Sequence, residues 1–525
     1  MALTNDSTTD ITLAQLSFRY GAGLTFDHKA DVIDLLDRHS DAELAENLAA
    51  VIVLIRLMIS YDEKVRFSRC VSVFENNIDG YGGADKNMLM MNFERFIGLS
   101  KYNDIAEMTV HFRKSLTYLN GPFTGEERVG NWTFGSPSVL LMFHRESGGL
   151  AEELEHMREG MPVYGELTDG HGYGAEYVME AEAAYNAGHF TEAETIVHKA
   201  WYFAREKDQW SILLAAVFLR MRLLLIQGDW FEVLNIRQLT AEMMERRNLH
   251  LLQHTLDMCQ SYIHLMLDLP DNVAGWITEG DASKTRVMYP AKPALNIVYG
   301  RHLLATGEYT RLLGIADAAR ETASKYPNLL GVIYSDIYLA AANSALSRKD
   351  EAAAYLESAL DMALPDNILI PFAENAGFIM DILTRIAADE RYAESVARIM
   401  ELYWSFEKTR AKILREHFSQ SGNLSSHEIV LGALRLEMLS GRAYLDGNDL
   451  LLGPKEFSLL FALAQNEGII ISAEQLYQRV WNAPIGNDKN ALQNRISAIR
   501  KKLDEKNYDY TISSAYGKGY CFEKS

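Results

Sequence analysis

Cysteine is scarce. Cys70, Cys259 and Cys521 are far apart and odd in number among 525 residues. That argues against a disulfide framework and a clustered thiolate metal site, and it fits a reducing, cytoplasmic setting. Long apolar runs are also lacking, so no membrane span is expected. The opening "MALTNDSTTD" has no basic residues ahead of an apolar stretch and does not read as a secretory signal. No G-x-x-x-x-G-K-S/T run occurs, which removes the phosphate-binding loop of an ATPase. Positive charge is short: 51 Lys and Arg stand against 71 Asp and Glu, a net charge of −20.

The deficit is uneven. From Leu431 onward there are 12 Lys and Arg against 11 Asp and Glu, a net of +1. That leaves 39 against 60 before it, a net of −21. Bulk nucleic acid would be repelled by such a body, so any DNA contact is expected in the tail.

What the chain has in abundance is apolar periodicity of helical type, from about Thr12 to Phe418. One signature recurs at roughly 40-residue spacing: a glycine or small residue, an aromatic two positions on, then a small or apolar residue. It reads Gly188, Phe190 and Ala193, flanked by Ala181 and Ala200. It returns at Gly228 and Trp230, and at Gly307, Tyr309 and Leu312. Weaker copies centre on Leu267 to Leu269, Lys349 to Ala354, and Arg391 and Tyr392, with a diverged unit at Lys101 to Ile105. Stacked helical hairpins explain this: glycine opens the turn, the aromatic packs into the next hairpin, and alanines allow close approach. The competing reading is a set of unrelated helical bundles. The division expected is a helical region of diverged repeats over 1–170, a repeat domain over 171–418, a linker over 419–430 and a small α+β domain over 431–525.

Other candidates carry less. "TDGHGYGAEY" (Thr168 to Tyr177) lacks the preceding strand of a nucleotide-binding turn and reads, like "NWTFGSPS" (Asn131 to Ser138), as a flexible interhelix loop. His250, His254, Cys259 and His264 share helical spacing without an H-E-x-x-H pattern, and no metal is assigned. Ser136 has no visible catalytic partner. No cofactor and no catalysis are expected.

In the tail, "LRLEM", "RAYLD" and "DLLLG" (Leu434 to Gly453) read as short strands. Gly453 and Pro454 open a helix that Gly468 ends. Ser472 and Gln475 form a capping box for a second. A third runs from about Lys489 to Leu503. On it Leu492, Ile496, Ile499 and Leu503 make one apolar stripe. Asn490, Gln493, Asn494, Ser497, Arg500 and Lys501 share the other side, where amides and cations suit base edges and phosphates. Alone, that face reads more readily as solvated surface. Context favours DNA: a hairpin follows, "YTISSAY" and "YCFE" around Gly517, Lys518 and Gly519, with the lysine set to reach phosphate.

Two resemblances follow. The segments "EAEAAYNAGHFTEAE" and "PALNIVYGRHLLATGEY" resemble the tetratricopeptide-like sensor region of MalT-type, large LuxR-family regulators. That likeness implies a small-molecule inducer or a regulatory protein on the superhelix. The segments "LGPKEFSLL", "SAEQLYQRVW", "NRISAIRKKL" and "GKGYCF" resemble the OmpR/PhoB-type winged-helix domain. This implies a third helix in the major groove of promoter DNA, through Asn490, Gln493, Asn494, Ser497, Arg500 and Lys501. It also implies Lys518 on the backbone, and RNA polymerase contact by Asn482, Ala483, Pro484, Ile485, Gly486, Asn487 and Asp488. Leu492 to Arg495 and Tyr516 depart from that pattern, so the target sequence stays open. The expected whole is mainly α: a tetratricopeptide-like solenoid, then a winged helix. It reads as a bacterial transcription regulator, homodimeric where half-sites are paired. The alternative is an interaction scaffold whose winged helix binds protein.

Overall fold

The computed structural model describes residues 11–19, 28–119, 131–280, 285, 287–325, 327–417, 428–437, 442–464, 466–481, 489–504, 508–515 and 519–524. The first helices are α1 (Leu13–Arg19), α2 (Lys29–Arg38), α3 (Asp41–Ala45), α4 (Leu48–Ser60), α5 (Lys64–Ile78) and α6 (Lys86–Ser100). Buried side chains from Leu13 to Phe96 give this region a core of its own. Then come α7 (Ile105–Leu116), α8 (Leu140–Phe143) and α9 (Leu150–Leu167).

Helical hairpins follow: α10 (Ala175–Asn186) with α11 (Phe190–Glu206), and α12 (Trp210–Gln227) with α13 (Trp230–Arg246). Next are α14 (Gln253–Met266) with the short α15 (Gly275–Thr278), and α16 (Lys292–Thr306) with α17 (Tyr309–Lys325). The last are α18 (Leu329–Ala345) with α19 (Lys349–Ala363), and α20 (Ile370–Ile386) with α21 (Glu390–His417). The 40-residue signature marks their turns. Gly188, Gly228, Asp268, Gly307 and Ser347 all have positive φ, between 55° and 81°. After each, the next N–H returns to a carbonyl five residues back: His189 to Ala184, Asp229 to Leu224, Leu269 to His264, Glu308 to Leu303, Arg348 to Asn343. These are Schellman closures, which need a left-handed residue and so prefer glycine.

Odd and even helices differ in composition because they differ in position. On α11 the buried residues form one narrow stripe, Ala193, Val197, Ala200 and Ala204. On α12 nearly every residue from Ser211 to Leu225 is buried. A helix apolar all round must be covered all round. By length and composition α12 could cross a membrane, yet 72% of it is buried inside the fold. The even helices from α10 to α20 pack in series as an inner layer, and after one superhelical turn α20 meets α10. There Leu369 N–H donates to Asn186 O at 2.8 Å.

Two features fill the inside of this turn. One is the carboxylate of Glu374 on α20. It accepts from Tyr185 of α10 (3.3 Å), Arg222 of α12 (3.1 Å), Tyr262 of α14 and Tyr334 of α18 (3.1 Å). The other is the segment around α8. Sequence predicts a flexible loop at "NWTFGSPS", but Trp132, Thr133, Ser136 and Val139 to His144 are buried. A loop inside a protein needs partners for its backbone groups. Glu182 accepts from Val139 N (2.9 Å) and Leu140 N (2.8 Å). Thr255 donates to Gly135 O (3.0 Å), Asn328 donates to Leu141 O, and Asn103 donates to Met142 O (3.2 Å). "TDGHGYGAEY" is packed as well. Gly172 donates its N–H to Gln209 (2.7 Å), and a Cβ on it would lie 2.4 Å from the Trp132 indole nitrogen.

The C-terminal domain begins with an antiparallel meander, β1 (Glu428–Leu431), β2 (Leu434–Glu437), β3 (Arg442–Leu445) and β4 (Asn448–Asp449), in that order. It starts inside the stretch expected to be linker, because Ile429 pairs with Leu436 and extends the sheet. The run "DLLLG" is strand only at its first residue; Leu450 and Leu452 instead turn into the core. Helices α22 (Pro454–Ala464), α23 (Ala473–Trp481) and α24 (Lys489–Asp504) follow, then the hairpin β5 (Tyr510–Ala515) and β6 (Gly519–Lys524). Gln238 of α13 donates to Leu452 O at 3.1 Å, so α22 is seated against α13.

Burial pushes the Glu182 carboxyl up to about 7, against the pull of the Leu140 N–H, the Ser138 hydroxyl and Arg222. Unfolded, it titrates near about 4.3. A raised folded pKa contributes stability that is complete below the unfolded value and lost as pH rises through about 7. Glu182→Gln keeps an acceptor for both N–H groups without the charge. Its melting temperature relative to the parent should therefore climb between about pH 5 and pH 8. A difference independent of pH would remove this role.

Candidate nucleic-acid interface

The third helix of the C-terminal domain is held by its apolar stripe. Leu492, Ile496, Ile499 and Leu503 are all buried, at about 1.5–3 kcal/mol each. The stripe fixes which face turns outward: Asn490, Gln493, Asn494, Ser497 and Lys501 are exposed. Two amides, a third amide one turn back and a hydroxyl thus lie on one accessible surface of α24, rich in bidentate donor–acceptor groups.

Arg500 is placed differently. It is half-buried, its Nε donates to Ile512 O at 2.6 Å and its Nη2 to Ser514 Oγ at 2.7 Å. It braces the hairpin against α24. Lys518 at the hairpin tip and residues 482–488, the expected polymerase loop, lie outside the described residues.

Two supports went unread in the sequence. Glu456 of α22 is 6% exposed. It accepts from Gly453 N (3.0 Å), Arg495 (3.3 Å) and Lys502 (3.1 Å), tying α22 to α24. Burial pushes its carboxyl up, but the Gly453 N–H and the Lys502 and Arg495 cations outweigh that and hold it below the usual range. The Gly-Pro-x-Glu spacing is half a capping box and carried the signal. The second support is the hairpin's attachment. Tyr520 exchanges both backbone hydrogen bonds with Ile471 at 2.9 Å, and Gly468 N–H donates to Phe522 O at 2.9 Å. The capping box of α23 is formed: Gln475 N–H donates to Ser472 Oγ at 3.1 Å, and Ser472 N–H to Gln475 Oε1 at 3.2 Å.

This geometry has known counterparts. Residues 447–522 match the family described as "Transcriptional regulatory protein, C terminal". The C-terminal domain is thus of the OmpR/PhoB winged-helix type. Among curated proteins, the response regulator SaeR of Staphylococcus aureus strain USA300 is 37% identical over 93 residues. SaeR of strain NCTC 8325 is equally similar. The match takes in 18% of this chain and 41% of SaeR. Among solved structures, a Rap protein complexed with competence and sporulation factor aligns with 76% of this chain and 97% of its own, at 14% identity and a TM-score of 0.34.

Gly519 is the glycine this interface cannot exchange. Its φ is +138°, and a Cβ on it would lie 1.9 Å from Ile471 O. Gly519→Ala should detach β6 from residues 468–471 and lower the melting transition of the C-terminal domain, leaving the helical repeats folded. A calorimetric trace identical to the parent's would refute this.

Proposed function

We propose that the chain is a promoter-binding transcription regulator. In this reading α24 lies in the major groove, and Asn490, Gln493, Asn494 and Ser497 meet base edges. The observation that carries it is the exposed amide and hydroxyl face of α24, set by a buried stripe beside a docked hairpin, in a domain of matching family. Arg500 enters as the brace that orients hairpin and helix. Lys501 and Lys518 are assigned to phosphate, and residues 482–488 to RNA polymerase, on the likeness to the winged-helix family. The helical repeats are assigned a sensing role, for a small molecule or a regulatory protein, on their likeness to MalT-type sensors. Homodimers would pair two winged helices on two half-sites and gain by effective concentration.

The test is a binding-site selection with the full chain. Gln493→Ala and Asn494→Ala should each relax preference at one base pair, by about 1–3 kcal/mol, without altering the fold. Lys518→Ala should weaken all sequences alike and lower the slope of log affinity against log salt by about one. Unchanged sequence preference in both amide variants would overturn the base-reading role.

A further inference from the structure

Beneath α21, a narrow cleft opens between α10, α12 and α20. Its walls are apolar: Phe190, Leu225, Ile226, Met266, Leu402 and Phe406 carry most of the lining. The space that water can reach in it is about 30 Å³, room for roughly two water molecules, so a larger occupant enters only by displacing α21 outward. The floor is polar. Tyr185, Arg222 and Glu374 reach it from three inner helices. Arg222 is 8% exposed, and its guanidinium lies 4.2 Å from the Tyr185 ring centre and 5.1 Å from that of Tyr262.

The hydrogen-bond balance of this floor is lopsided. Glu374 accepts from Arg222 and from the hydroxyls of Tyr185, Tyr262 and Tyr334, so both its oxygens are engaged. Arg222 uses Nη2 toward Glu374 and Tyr262, while its buried Nε has no partner among the described residues. A buried guanidinium N–H without an acceptor is costly. Nearby on α16, Arg301 is 4% exposed and two of its nitrogens, Nε and Nη1, are likewise without an acceptor. These two guanidinium groups are thus short of acceptors. The complement is an acceptor head on an apolar body. A cationic head brings only donors, and Glu374 has no oxygen left for them.

We propose that this cleft is a binding site for a small amphipathic carboxylate, with the head on Arg222 and the apolar body along Phe190, Leu225, Leu402 and Phe406. The ligand class covers aliphatic acids and the free carboxyl end of a short apolar peptide, which share this chemistry. The site rests on the sensing role proposed above and names its ligand. It also supplies a physical route outward. Leu402, Ser405 and Phe406 belong to α21, whose His417 ring packs on Phe231 of α13 at 4.7 Å. The same α13 holds Leu452 of the winged helix through Gln238. An occupant under α21 therefore presses on the helix beside the one that seats the DNA-binding domain.

The experiment is titration calorimetry on the full chain with octanoate, octylamine, octanol and N-acetyl-leucyl-leucine. Octanoate, the peptide acid or both should bind, and octylamine should not. Arg222→Gln should weaken the acid about ten- to a hundredfold, the effect of losing one charge-assisted hydrogen bond. Since that variant also leaves Glu374 without its cation, Ser405→Trp serves as the second. Ser405 is exposed at the mouth, so a tryptophan there blocks entry while the melting temperature holds. Loss of acid binding in Ser405→Trp supports the site. Octylamine binding as well as octanoate, neither acid binding, or acid binding untouched by Ser405→Trp would each overturn it. DNA affinity is measured separately with and without the acid. If the acid binds and the blocked variant loses it while DNA affinity never changes, the site stands and the sensing role falls.

Discussion

One carboxylate organises the interior of this protein. Glu374 sits on α20, the last inner helix, and takes hydrogen bonds from α10, α12, α14 and α18. A repeat array is otherwise held by contacts between neighbours alone, so small errors in the angle between hairpins accumulate along it. A central acceptor with donors from four inner helices converts that chain of local contacts into a closed turn. An apolar residue of equal size would pack as well and remove the desolvation penalty of a buried ion pair. What it would lose is register. Each tyrosine hydroxyl and the guanidinium reaches Glu374 only when its own helix is at one height and rotation. Burial opposes the charge on Arg222, and the Glu374 carboxylate beside it more than restores it.

The segment at α8 depends on that closure. It runs against α10, α14 and α18 and ends where Asp366 accepts from Gly148 N at 2.6 Å and Leu150 N at 3.0 Å. His144 is buried between Glu153, at 2.7 Å, and Asp366, at 3.5 Å. These partners come from the beginning and the end of the repeat array, so they meet the segment together only when the turn is closed. Glu374 and the α8 segment thus fill the same interior from two sides. The all-round apolar character of the inner helices follows, since each has an outer helix on one side and this filling on the other.

Legibility in the sequence followed the range of the interaction. The hairpin turns were readable because a left-handed cap is decided within six residues: Gly188, Gly228 and Gly307 announce it, and Asp268 and Ser347 occupy the same place less visibly. The stripe of α24 and the capping box at Ser472 were readable for the same reason. Glu374 was not. Its four partners lie between 40 and 189 residues away, and no local pattern sets one acidic residue apart from the others. The burial of "NWTFGSPS" was hidden similarly, because small, glycine-containing stretches look alike whether water or protein supplies their hydrogen bonds. Arg500 was legible as a member of the polar face but not in its role. Helical spacing gives the side of the helix, while the carbonyl of Ile512 that captures it belongs to a strand formed later in the chain.

The cations of the winged helix complete the electrostatic argument. Beyond Leu431 the chain is nearly neutral, and several of its positive groups are already committed internally. Arg495 and Lys502 serve Glu456, Arg500 holds the hairpin, and Lys455 donates to Val480 O at 2.8 Å. The proposed reading face is therefore mostly neutral, made of amides and a hydroxyl. Fewer cations are thereby left for phosphate among the described residues, while the body ahead of the domain carries a net −21 by residue count. Repulsion from that body reaches about a Debye length, roughly 8–10 Å at ordinary salt, and Gln238 keeps α13 in contact with the domain. Non-specific attraction, which depends on phosphate neutralisation, is weakened by both facts. The proposed base-edge contacts would be less affected, because they are short-ranged and formed by uncharged groups. Under the proposed function, an acidic body around a neutral reading helix would lower affinity for DNA at large more than affinity for a matching site, so the charge distribution that makes the chain look unsuited to DNA would raise its discrimination.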